Sequence, residues 1–185
     1  MENHNPSKKT GTQENSYIKS TMTFGLITGV VLIVYTLLLY ATNNILKQNF
    51  LLSIINYIIL IAGIVKGTRA YRDQTLGGYI SYTKALGYGV VMSIFTGVVL
   101  GVFTYLLYAV IDPGLMEQSM KMVEEEMLNR GMSPDQVESL SEMQRQIRSP
   151  FMMLIGSVFT YALLGLLFSL VTSAFLKKDK PIFDQ

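Results

Sequence analysis

The run Ala85–Ile111, ALGYGVVMSIFTGVVLGVFTYLLYAVI, holds no Asp, Glu, Lys or Arg and no proline. It is longer than the roughly 20 apolar residues that cross a hydrocarbon core of ~30 Å as a helix. Within it Ala85, Gly89, Ser93, Gly97 and Gly101 recur every four residues. That spacing sets a ridge of small side chains along one side of a helix. In lipid no hydrophobic force draws helices together, so close backbone approach must supply the contact. A helix bathed only in lipid has no use for such a ridge, and a second helix is expected against it.

Three further runs lack charge: Met22–Thr42, Gln48–Val65 and Phe151–Leu176. Together they predict an all-α integral membrane protein with four transmembrane helices, at about 21–42, 50–65, 85–111 and 150–176. The second run is short, but Lys47 and Lys66 flank it and their stems can reach the interface. A signal peptide fits the first run poorly, because it exceeds an h-region of ~7–15 residues and no small-x-small cleavage site follows. Small residues mark packing faces on the other spans too. They are Gly25 and Gly29, four and eight residues after Thr21; Gly63 and Gly67; and Gly165 and Ser169, in a stripe with Ala162 and Ser173. A tight bundle is expected across 21–177.

Between the third and fourth spans lies a polar insert, Asp112 to Ser149. Asp112-Pro113 reads as an N-cap followed by proline at the first helical position. Gly131 is the stop signal of that helix. Ser133-Pro134-Asp135-Gln136 opens a second helix as a capping box, and Ser149-Pro150 opens the fourth span. Met116, Met120, Val123 and Met127 form one apolar stripe, and Val137, Leu140 and Ile147 another. Glu117 with Lys121, and Glu126 with Arg130, are spaced for pairing on the wet side. The insert, 112–149, is expected to be an extramembrane amphipathic helical hairpin, with its methionine stripe as a partner-binding face. Residues 1–20 are polar, with Pro6 and Gly11, and are expected to be a disordered tail. Residues 178–185 form a basic C-terminal tail.

Orientation follows from Lys and Arg. Lys8, Lys9 and Lys19, then Lys66, Arg69, Arg72 and Lys84, then Lys177, Lys178 and Lys180 fall on one side of a four-span chain. The other side holds Lys47, Lys121, Arg130, Arg145 and Arg148, set against the acids of the insert. Both termini are therefore expected in the cytoplasm and 112–149 in the periplasm. Arg145 and Arg148, close to the fourth span, argue the other way and are outnumbered.

The chemistry available is narrow. There is no cysteine, and the single histidine is His4 in the N-terminal tail. Disulfides, thiol catalysis and a histidine-based metal site or triad are excluded. A net charge of +2 among 185 residues does not suggest nucleic acid as a partner. No carboxylate lies within a span, which disfavours proton-coupled transport. Asn56 is the most polar residue in a span, and an interhelical hydrogen bond is its expected role. Asp73 is expected to pair with Arg69 or Arg72. Thioethers at Met116, Met120 and Met127, with Met152 and Met153 nearby in sequence, would suit Cu(I). Helical amphipathicity already accounts for that stripe. No catalytic residue, cofactor or metal is expected.

Several pieces together resemble a known family. The run Gly77-Gly78-Tyr79-Ile80-Ser81-Tyr82, then Lys84-Ala85, precedes the glycine-rich span. Asp112-Pro113, a Met- and Glu-rich helix, Arg130-Gly131-Met132-Ser133, and Ser149-Pro150 follow in order. Across roughly 20–178 the chain resembles the bacterial membrane family catalogued as domain of unknown function 4199, common in the Bacteroidetes. The resemblance implies a four-span inner-membrane protein and implies no catalytic residue, ligand or partner.

Two functions are compatible with these readings. One is a non-enzymatic accessory or scaffold protein that binds a membrane partner, or a further copy of itself, through the hairpin or the small-residue faces. The other is a small oligomeric transporter or channel. Empty spans, free of ionisable groups, favour the first.

Overall fold

The computed structural model describes residues 6–47, 50–147 and 149–180. His4 and the rest of 1–5, Gln48 and Asn49 of the first loop, Arg148, and 181–185 of the basic tail lie outside the described residues. So do the side chains of residues 6–12, Gln146 and Ile147.

The described chain is all-helical: α1 (Pro6–Ala41), α2 (Phe50–Thr75), α3 (Tyr82–Leu106), α4 (Gly114–Asn129), α5 (Pro134–Ile147) and α6 (Pro150–Leu176). A π-helical turn, Leu107–Ile111, extends α3. Among the described residues the β-structure is one isolated antiparallel bridge between Ile80 and Lys178. Four helices are long and apolar enough to cross a membrane: Gln13–Ala41, Phe50–Thr75, Tyr82–Ile111 and Pro150–Leu176. Their outer faces carry exposed Leu26, Val30, Val34 and Leu38 on α1, and Phe159, Leu167, Val171 and Phe175 on α6. So much contiguous apolar surface is untenable in water and suits lipid.

Two boundaries differ from expectation. The polar residues 6–20 are helical, not a disordered tail, and α1 starts at Pro6. Proline at the first position loses no hydrogen bond there. Propagating an existing helix adds one bond per residue fixed, so the apolar span can carry the polar segment. That segment also packs. Tyr17 sits edge-on to Tyr71 and Tyr88, with ring centroids 5.5 and 5.9 Å apart. Ser20 and Tyr88 share a hydroxyl hydrogen bond of 2.8 Å.

The second difference lies in the basic stretch 66–84, between the spans expected at 50–65 and 85–111. α2 continues through it to Thr75, with Arg72 in its last turn. After Gly67 no glycine or proline occurs before Gly77 and Gly78, which take φ of +65° and +90°. There the N–H groups of Leu76 and Gly78 bond the carbonyls of Tyr71 and Arg72. Leaving the hydrocarbon does not end a helix; a change of backbone conformation does.

α6 begins and ends where the sequence predicts, with the Ser149 hydroxyl accepting from the Met152 N–H at 3.2 Å. α5 has the reciprocal cap: the Ser133 hydroxyl accepts from Gln136 N–H, and the Gln136 side chain accepts from Ser133 N–H. At α4 the expected cap is absent. The Asp112 carboxylate accepts instead from the Tyr40 hydroxyl, at 3.0 Å, and ties the end of α1 to the start of the insert.

α3 is the hub. It touches α1, α2 and α6, and its interface with α6 is the most extensive in the molecule. α2 also touches α1, α3 and α6. The core between the spans contains Leu32, Leu60, Ile64, Tyr88, Met92, Leu100 and Tyr161.

Candidate functional site

The ridge of α3 lies against α6. Gly89 faces the Ser169 side chain, and Gly165 returns the favour by facing Ser93. A Cβ placed on Gly97 would come 3.0 Å from both Tyr161 Cβ and Val158 Cα. Gly101 faces Ser157 and the Leu154 carbonyl. Ser157 donates to Leu154 O at 2.7 Å and lies 3.2 Å from Gly97 O, so its hydroxyl bridges the two backbones. Ala85, Gly89, Ser93, Gly97 and Gly101 are all buried.

On the other flank α1 meets α3. A Cβ on Gly25 would lie 2.7 Å from Phe95 Cβ and 2.8 Å from Met92 O, and one on Gly29 would lie 2.7 Å from Val99. The Thr96 hydroxyl donates to Met92 O and reaches across to Gly25 O at 3.2 Å. Gly63 faces Thr28 of α1, and Gly67 faces Phe24 of α1 and the sulfur of Met92. Gly25, Gly29, Gly63, Gly67, Gly89, Ser93, Gly97, Gly101, Gly165 and Ser169 thus sit where helices meet.

Sequence reasoning missed part of this seam. The contact face of α6 is Ser157, Tyr161, Gly165, Ser169 and Ser173, one residue every four. Ala162, expected in the stripe with Gly165, is only half-buried at the edge. A large side chain inside the register hid it, although the spacing itself was legible. Tyr161 also explains Asn56, whose side-chain oxygen accepts from the Tyr161 hydroxyl at 2.9 Å. Three buried hydroxyls have no partner among the described residues: Thr68, Ser169 and Thr172.

At one end of the bundle Arg72 pairs with Asp73 at 2.7 Å and donates to Leu176 O at 3.2 Å. Ile80 and Lys178 exchange two backbone hydrogen bonds of 2.9 Å. At the other end stand α4 and α5. Glu117 pairs with Lys121 at 2.8 Å and Glu126 with Arg130 at 2.9 Å, while Glu124 reaches Arg145 of α5 at 3.7 Å. The Lys121 ammonium holds the Glu117 carboxyl below the usual carboxylate range. Met116, Met120, Val123 and Met127 are each half-buried. Met116 and Met120 line a surface cavity of about 400 Å³ with Pro113, Glu117, Lys121 and Arg145. Met122, Leu128 and Met143 are exposed.

The sequence model of the family described as "Protein of unknown function (DUF4199)" matches residues 23–178. No curated protein and no solved structure matches the chain. The match takes in α1 from Thr23 onward, the other three apolar helices and both helices between the third and the fourth, and the chain belongs to that family.

Proposed function

We propose that this member of the DUF4199 family is a non-enzymatic accessory or scaffold protein of a bacterial inner membrane. In this reading both termini are cytoplasmic, and α4 and α5 form an extramembrane hairpin that engages a membrane-protein partner. The observation that carries it is the use made of the small-residue ridge. Gly89, Ser93, Gly97 and Gly101 are consumed within the chain by α6, Gly25 and Gly29 by α3, and Ala85 is buried in the core. Such a face, once covered, is not available to another protein. What remains outside the packed spans is the α4–α5 pair, with its half-buried methionines and exposed Met122, Leu128 and Met143. Flexible thioether side chains suit an adaptable contact surface.

The experiment is site-specific photo-crosslinking in native membranes. A photoreactive residue replacing Met120 or Met127 should give a discrete protein adduct, while one replacing Phe175 on the lipid face should give none. Lipid adducts alone from the methionine positions would remove the proposal. The transporter reading draws on one feature, the unpaired hydroxyls of Thr68, Ser169 and Thr172 inside the bundle. It gains ground if the crosslinks are instead confined to copies of this chain.

A further inference from the structure

Lysines at the end of a membrane helix ordinarily spread into water, where repulsion and solvation favour separation. At the end of this bundle three of them converge. A cavity of about 450 Å³ is lined by Lys84 from the first turn of α3 and by Lys178 and Lys180 from the segment after α6. Asp179 is the one acid in its wall, and Gln13, Thr75 and Ser81 supply uncharged polar groups. Leu76, Tyr79 and Ile80 make its apolar side.

The segments bearing these lysines are far apart in sequence and are joined by specific contacts. The double backbone hydrogen bond between Ile80 and Lys178 fixes one to the other. The Lys178 ammonium lies over the Tyr79 ring, 5.5 Å from its centroid. Arg72, bonded to Leu176 O, secures the end of α6 just before them. Three lysine charges, set against Asp179 in the wall and Asp73 acting on Lys178 from outside it, leave the open cavity positive, and it attracts an anion. The start of α3, a helix of 25 residues, adds partial positive charge from the same direction. The combination of cationic groups, neutral hydrogen-bonding groups and an apolar wall fits a phosphate attached to a less polar body.

We propose that this cavity binds a phosphate group, carried either by an anionic phospholipid of the adjoining leaflet or by a soluble phosphate compound. The test uses the full chain, delipidated in a neutral detergent. Phosphatidylglycerol, phosphatidylcholine or inorganic phosphate is added, the thermal aggregation midpoint is read, and native mass spectrometry counts retained lipid. Phosphatidylglycerol should raise the midpoint and remain bound. The variant Lys84→Gln/Lys178→Gln/Lys180→Gln should lose both effects, while Lys66→Gln/Arg69→Gln, outside the cavity, should keep them. A shift with phosphatidylglycerol alone assigns the site to lipid. An equal shift with inorganic phosphate, also lost in the triple variant, assigns it to a soluble phosphate. Should the triple variant fail to fold, Lys84→Gln and Lys180→Gln singly should each lose about half of the shift or more. The proposal falls if neither probe moves the parent protein. It falls equally if phosphatidylcholine acts as strongly as phosphatidylglycerol, or if the control variant loses as much as the cavity variants.

Discussion

Gly97 and Val98 are chain neighbours with opposite surroundings. Gly97 is buried against Val158 and Tyr161, whereas Val98 is 41% exposed on the face turned to lipid. Gly97→Leu must push α6 away from α3, and Val98→Leu only adds a methylene to a fluid environment. Overpacking costs ~1–3 kcal/mol in a soluble core, and a close backbone seam should be no more forgiving. The thermal aggregation midpoint in detergent should fall for Gly97→Leu and hold for Val98→Leu; a Gly97→Leu protein as stable as the parent would remove the seam. Gly25 and Gly156 extend the comparison to single methyl groups. A Cβ on Gly25 meets the Met92 carbonyl at 2.8 Å, and one on Gly156 meets nothing within 4 Å. Gly25→Ala should lower the midpoint, whereas Gly156→Ala should hold or raise it, since alanine in a helix is favoured over glycine by ~0.5–1 kcal/mol. This scale was the most legible in sequence, because a four-residue repeat of small side chains has few other uses in lipid. Tyr161 carries no such signal, because its large side chain breaks the pattern of small residues, and its hydroxyl also serves Asn56.

Elements were legible wherever local chemistry ends a helix. Ser149-Pro150 and the Ser133–Gln136 box both mark starts that the structure has. Hydropathy missed the start of α1 and the end of α2, since it reports where lipid is and not where backbone hydrogen bonding stops. The π-helical turn at Leu107–Ile111 had no sequence signal; there Asp112 N–H bonds Leu107 O, five residues back. That wider turn buries Leu107 and leaves Val110 and Ile111 exposed just before the insert. α4 and α5 are short, and isolated helices of their length are marginal in water. A peptide spanning 112–149 should therefore be partly helical in buffer and gain helicity with lipid vesicles. Circular dichroism decides it, and a random-coil spectrum in both settings would show that the two helices depend wholly on the bundle.

For the whole molecule, four spans with short connections except the third reproduce what the uncharged runs predict, but their arrangement around α3 was not readable. Pairwise ridges say which faces pack without saying which helix answers which. Orientation rests on the bias of Lys and Arg. Single cysteines replacing Asn15 and Ser139, probed with an impermeant thiol reagent in cells with a permeabilised outer envelope, should label only at Ser139. Labelling at Asn15 instead would invert the topology. The order of the helices along the chain carries a consequence for synthesis. α3 enters the bilayer before α4, α5 and α6 have been made, and its broadest contact is with the last of them. At ~5–20 residues per second, translation leaves the glycine ridge uncovered for some seconds. During that interval a nascent chain is open to capture by the still unpacked α6 of another chain, or to recognition by a membrane chaperone. A protein truncated before Pro150 would stay in that condition permanently, and the cell's membrane proteases would meet it as an unfinished product.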